Sequence, residues 1–145
     1  MSDNHRETIE AAIRGAGLRI TPVRVGVLEV LRRSPRPIDV PGILEKLPAR
    51  TDAVTVYRTL NTFTKKQMVH RVRGEDRSWR YAMGEGVAER KAHRHPHFVC
   101  ESCGKVECLK EAEIPTAFVR SLKLEGGYEV SYPEVVLHGV CPRCR

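Results

Sequence analysis

Residues 51–83 read TDAVTVYRTLNTFTKKQMVHRVRGEDRSWRYAM. Thr51 or Asp52 is placed to cap a helix running from Ala53 to about Lys66, with apolar residues at Val54, Val56, Tyr57, Leu60 and Phe63. Two β-like runs follow, Met68–Arg73 and Ser78–Met83. Gly74-Glu75-Asp76-Arg77 separates them with turn-forming residues, so the pair predicts a hairpin. A helix leading directly into a two-stranded hairpin is the closing half of a winged helix-turn-helix.

The residues upstream supply the opening half. Ile9, Ala12, Ile13 and Ala16 recur at helical spacing, and Gly15 and Gly17 end that segment. Thr21-Pro22 then predicts an N-cap and a first helical residue, with Val23, Val27, Leu28, Val30 and Leu31 giving the helix a buried face. Ser34-Pro35-Arg36-Pro37 breaks it. Asp39 can cap a shorter helix through Val40, Ile43, Leu44 and Leu47, and Pro41 is tolerated there because it falls in the first turn. The expected first domain is a winged helix-turn-helix over residues 1–83.

In that layout the Ala53–Lys66 helix lies in the major groove of DNA. Its polar face offers Thr55, Arg58, Thr59, Asn61, Thr62, Lys65 and Lys66. Arg58 can read a guanine edge with two hydrogen bonds, and Thr55 and Tyr57 can touch phosphate or a thymine methyl. Any solvated helix face is polar, however, and Tyr57 would serve equally well in a core. Charge tips the balance. The chain of 145 residues carries a formal net charge of +7, and the whole excess lies in residues 1–83, which hold 16 basic and 9 acidic side chains. Residues 84–145 hold 9 of each. A basic first half suits a polyanion such as double-stranded DNA.

No apolar run approaches the ~20 residues that span a bilayer, and Met1–Glu10 carries no apolar signal-peptide core. The expected location is cytoplasmic, with no membrane partner. Nothing resembles a Gly-rich phosphate loop or a nucleophile elbow, so neither an enzyme nor a small-molecule substrate is expected. Cys108 near histidines could serve as a nucleophile, but no substrate cleft accompanies it in the sequence.

Residues 84–96, GEGVAERKAHRHP, are polar and read as a hinge. Beyond them, residues 97–145 predict a small α+β domain. Its elements are β-like runs at His97–Glu101 and Lys105–Leu109, a helix over Ile114–Leu124, and a long strand over Tyr128–Val140. So few large apolar residues call for a metal staple, a partner subunit, or both.

All five cysteines lie in this second part. Cys100-x-x-Cys103 and Cys141-x-x-Cys144 each place two thiolates to converge on one ion, and four such sulfurs suit tetrahedral Zn²⁺. Two disulfides or a redox-active pair are the alternatives, and the cytoplasmic reading weakens both. His93, His95 and His97 alternate, so on a strand they share one face. If residues 97–108 form a hairpin, Cys108 returns opposite them. His95, His97 and Cys108 then make a second site suited to Zn²⁺, with His93 or His70 as the fourth ligand. His70 would bring that ligand from the wing. His5 and His138 read as ordinary residues.

Four stretches together resemble the ferric uptake regulator (Fur) superfamily across nearly the whole chain. They are Gly17-Leu18-Arg19-Ile20-Thr21-Pro22-x-Arg24, Ala53-Val54-Thr55-Val56-Tyr57-Arg58-Thr59-Leu60, the run from His93 to Val106, and the terminal Cys-x-x-Cys. The resemblance implies a homodimeric, metal-responsive transcriptional repressor with a winged helix, a C-terminal α+β dimerisation domain and a structural zinc held by four cysteines. It implies that Tyr57 and Arg58 contact the operator, that Arg19 approaches the neighbouring minor groove, and that His95 and His97 serve an inter-domain regulatory site.

The regulatory ligands depart from the iron and peroxide branches. Arg36-Pro37 stands where those sensors carry a histidine, Ala82 where they carry an acidic residue, and Cys108 where peroxide sensors carry an aspartate. A further family site in the dimerisation domain falls on Arg94, Pro96, Pro115 and Pro133 and is expected to be absent. Loss of oxygen ligands and gain of a thiolate favour Zn²⁺ over Fe²⁺ or Mn²⁺. His70 also matches a ligand of some zinc-responsive members. The resemblance is therefore to the zinc uptake regulator branch, although zinc sensors often carry a cysteine at the position of Ala82. An iron- or peroxide-responsive repressor is the alternative. A thiol redox sensor acting through Cys108 and a zinc-stabilised interaction module stand further off.

Overall fold

A computed structural model describes residues 2–84, 95–130 and 133–145. Four helices lead the chain: α1 (Ser2–Gly15), α2 (Pro22–Arg33), α3 (Val40–Glu45) and α4 (Ala53–Lys65). Each later helix starts where a side-chain oxygen captures an orphan N–H. Thr21 accepts from the Arg24 amide, Asp39 from Gly42 and Asp52 from Thr55. Helix α1 begins earlier than its apolar spacing predicts. It is closed off just beyond Gly15 by Gly17, whose φ of +74° is left-handed, with the Leu18 N–H reaching back to the Ile13 carbonyl.

Strands β1 (Val69–Arg73) and β2 (Trp79–Met83) form the antiparallel wing. Ile38 bridges to Tyr81 through two backbone hydrogen bonds of 2.9 and 2.8 Å and ties the wing to the loop before α3. Ile13, Leu28, Ile43, Leu60, Phe63 and Tyr81 are fully buried where the helices and wing meet.

Helix α4 is turned from its expected orientation. Val54 and Tyr57 are exposed, and Thr59, expected on the polar face, is buried with Val56, Leu60 and Phe63. The buried residues follow the i, i+3, i+4, i+7 pattern from Val56, a stripe that Val54 and Tyr57 do not join.

The second part holds β3 (His97–Cys100), β4 (Val106–Cys108), α5 (Thr116–Ser121) and β5 (Val136–Gly139). These strands make one sheet in the order β4-β3-β5, with β3 antiparallel to β4 and parallel to β5. Helix α5 is shorter than expected. The predicted Tyr128–Val140 strand is reduced to β5 within the described residues. Pro133 cannot donate to a ladder, and Tyr128 and Val130 are exposed rather than paired. The core here is small: Val99 and Val106, with Val136 packed against them. Val72 of the wing joins that cluster.

Phe63 is completely buried. Phe63→Ala is expected to lower unfolding free energy by about 3–5 kcal/mol, seen as a lower urea midpoint. Exposed Lys65→Ala should change stability by no more than about 0.5 kcal/mol.

Candidate metal centres and nucleic-acid face

The Cys-x-x-Cys turns are built by backbone hydrogen bonds. The Gly104 N–H donates to the Cys100 carbonyl and the Cys144 N–H to the Cys141 carbonyl, both at 2.9 Å. Gly104 has a φ of +70°, which a residue with a side chain rarely adopts, and it turns the first knuckle back toward β4. Parallel pairing of β5 with β3 carries Cys141 and Cys144 to the same end of the sheet as Cys100 and Cys103. All four Sγ atoms lie within 4.8 Å of one another. Cys103 and Cys141 are 3.8 Å apart, matching the edge of about 3.8 Å in a tetrahedron with Zn–S bonds near 2.3 Å. The set fits a structural zinc.

The knuckle also prepares the thiolates. Backbone N–H groups of Cys103 and Cys141 draw Cys100 down to about 6, and the Cys141 N–H lies 3.4 Å from its sulfur. Cys100 is thus ionised at neutral pH. Ser102 works against a rise at Cys144, but the neighbouring Cys141 and Cys103 sulfurs push Cys144 up to about 11. Metal binding must therefore release protons.

The second cluster draws on two parts of the chain. Cys108 on β4 pairs directly across from His97 on β3. His95 is buried just upstream, and His70 arrives from β1 of the wing. Their ligand atoms lie within 4.8 Å of one another, and no carboxylate joins this cluster among the described residues. The Cys108 Sγ to His70 Nε2 distance is 3.5 Å, close to the ~3.6 Å expected for a shared tetrahedral zinc. The His70, His95 and His97 ring centroids are 5.1 to 5.7 Å apart. Burial, and then electrostatic opposition from the neighbouring His95 ring, hold His97 down at about 4, so its imidazole is neutral and able to ligate at pH 7. Of the two expected fourth ligands, His70 is brought in and His93 lies outside the described residues. Ala82 sits directly across from His70 on the wing.

On α4, Tyr57 and Arg58 are exposed, as is Arg19 in the loop before α2. The Arg24 guanidinium donates to the Arg19 carbonyl at 2.6 Å and fixes that loop. Thr55 is already engaged, because its hydroxyl donates to the Asp52 carboxylate at 2.6 Å. The sequence reading missed three features. His138, read as ordinary, meets Glu75 of the wing turn; Val72 packs into the second core; and Arg24 props the Arg19 loop. The first two join residues more than twenty positions apart, and no spacing within either segment signals them.

A winged helix joined to a cysteine-clustered sheet defines a winged-helix metalloregulator. The sequence model of the Ferric uptake regulator family matches residues 15–144. The chain is 30% identical over 147 residues to the peroxide operon regulator of Bacillus subtilis, covering 96% of this chain and 92% of that one. The solved Vibrio cholerae ferric uptake regulator is 26% identical with a TM-score of 0.63, covering 91% of this chain and 98% of that one. A zinc uptake regulator solved with zinc and DNA shares the fold with a TM-score of 0.72 at 23% identity, covering 99% of this chain and 95% of that one. The chain belongs to the ferric uptake regulator family. It is a metal-responsive, DNA-binding transcriptional regulator and not an enzyme.

Cys100→Ser is expected to remove one zinc equivalent by elemental analysis and to expose the second unit to proteolysis. Acid should weaken the fold of protein that keeps the four-cysteine metal but has no ion at the histidine cluster. His97 takes its proton near 6.5 when unfolded but near 4 when folded, so its contribution is complete above pH 6.5 and falls away as pH drops toward 4. Urea midpoints across that window should decline, and less steeply in His97→Gln.

Proposed function

We propose that this protein is a cytoplasmic, homodimeric repressor that binds operator DNA when zinc is plentiful and so silences metal-uptake genes. The observation that carries this reading is the donor set His70, His95, His97 and Cys108. Three imidazoles and a thiolate suit Zn²⁺, whereas Fe²⁺ and Mn²⁺ sites draw more on oxygen ligands. The proposed division is a DNA-binding domain over residues 1–83, a hinge over 84–96, and a dimerisation domain over 97–145.

Cys100, Cys103, Cys141 and Cys144 would hold a structural zinc that staples the second domain. His70, His95, His97 and Cys108 would hold the regulatory ion, whose bonds supply a cross-link between wing and sheet. His95, His97 and Cys108 belong to one hairpin and its lead-in, and His70 belongs to the wing. The four donors converge only when wing and sheet hold the relative placement seen here. In a homodimer that placement would offer Arg58, Tyr57 and Arg19 of each chain to one half-site of an operator. Large apolar side chains support the dimer. Phe118, Leu122, Leu124, Leu137 and Val140 are about half exposed and Tyr128 more so, all in the second part of the chain.

The test is operator binding under buffered free Zn²⁺, Fe²⁺ and Mn²⁺, together with metal content. Two zinc equivalents per chain, with tight binding only when the second is filled, are expected. One retained zinc with DNA binding switched by Fe²⁺ or Mn²⁺ would move the protein to the iron or peroxide branch. Arg58→Ala should weaken operator binding by about 1–3 kcal/mol at unchanged zinc content. Cys108→Ser should lose metal-dependent affinity while the dimer persists in sedimentation. His70→Ala should keep measurable binding of the second metal yet lose much of its effect on DNA.

A further inference from the structure

Strand β1 serves two different surfaces. His70 and Val72 point to the second part of the chain, one into the metal cluster and the other against Val99 and Val106. Val69, Arg71 and Arg73 take the opposite face, as strand alternation requires, and Val69 closes the helical core. Arg71 and Arg73 are exposed. They lie directly across from Tyr81 and Trp79. Their guanidinium carbons sit 4.2 and 5.6 Å from the centre of the Trp79 ring. Among the described residues no carboxylate lies within ion-pairing distance of either.

This stack adjoins the recognition helix. Strand β1 packs against α4, and Val69 and Tyr81 of the wing share one core with Leu60 and Phe63 of that helix. The Arg–Trp–Arg stack therefore lies on the wing that packs against the helix carrying exposed Tyr57. Stacking on an indole holds a guanidinium plane in place while its N–H edge stays open to an acceptor. Less side-chain freedom is then lost when a phosphate binds.

We propose that Arg71, Trp79 and Arg73 form a preorganised clamp for the phosphodiester backbone of duplex DNA, extending the footprint of α4 onto the wing. This inference rests on the DNA-binding reading of α4, but it adds a surface that serves affinity rather than sequence choice. Contacts to phosphate position a protein and do not read bases.

The test uses the zinc-loaded full chain with double-stranded poly(dI-dC), because phosphate contacts operate without a defined operator. The slope of log affinity against log salt counts the phosphates neutralised, at about 0.9 for each contact. Arg71→Gln/Arg73→Gln is expected to flatten the slope by about 2 and to weaken low-salt binding about tenfold or more. Arg71→Lys/Arg73→Lys should restore the slope without restoring all of the affinity. Trp79 is the chain's single tryptophan, so its emission should change as DNA is added. An unchanged slope in the Gln/Gln variant, at wild-type zinc content and unfolding midpoint, would overturn the clamp. So would a Trp79 emission indifferent to saturating DNA. If the wild type binds and Arg58→Ala weakens it while the Gln/Gln pair does not, the clamp alone fails. If the wild type binds no duplex, the clamp and the DNA-binding reading of α4 fail together.

Discussion

The wing strand β1 is the constraint on which the remaining architecture depends. Successive strand residues face opposite ways, so five residues serve two neighbours at once. Val69 packs into the helical core, while Val72, three residues on, packs against Val99 and Val106. A slip of one residue would send His70 toward the helices and Arg71 toward the sheet. The turn guards against this. The Gly74 N–H donates to the Ser78 carbonyl, and Asp76 accepts from both the amide and the hydroxyl of Ser78. Arg80 holds Asp76 and Asp39 together, so the wing register is tied to the cap of α3.

The second part of the chain faces a different difficulty. Its core is a handful of valines, and its central strand β3 pairs in parallel with β5, which lies more than thirty residues away. Ordering so long a loop costs entropy that so small a core cannot offset. The four cysteines sit where a cross-link helps most. Cys100 ends β3 and Cys141 follows β5, so a metal at that end fixes the pairing that the apolar residues cannot secure alone. Sulfur ligands thus stand in a unit that has little else to hold it.

What could be read from the sequence were features whose cause is local. Thr21, Asp39 and Asp52 cap their helices as their chemistry dictates, and a hairpin between His97 and Cys108 sets those two side by side. Val54 departs from its apolar spacing because it sits in the first turn, off the stripe that Val56 begins, and Tyr57, which suits either a core or a DNA contact by its chemistry, lies on the exposed face. Thr59 departs in the opposite sense, since its methyl group lets it share the buried stripe with Val56 and Phe63. The long strand over Tyr128–Val140 failed for another reason. Its alternation is real, but alternation needs a pairing partner, and none is provided for Tyr128 and Val130 among the described residues. His138 with Glu75, and Val72 with Val99, depend on how two units meet across residues 84–96, which no local pattern encodes.

On the proposed reading, His70 is the residue that turns metal binding into a conformational signal. Three donors already converge from the β3–β4 hairpin and its lead-in, and a hairpin keeps them together whatever the wing does. An ion held by those three alone would bind every wing orientation equally, and a ligand with equal affinity for two states shifts neither. The fourth donor makes affinity depend on orientation. Coupling of a few kcal/mol then changes DNA affinity by tens to hundreds of fold, which is within reach of one additional metal–imidazole bond. The wing carries both His70 and the exposed arginines on opposite faces of β1. The element that the regulatory site would fix is the one whose other face lies beside the recognition helix, so no separate relay between metal and DNA is required.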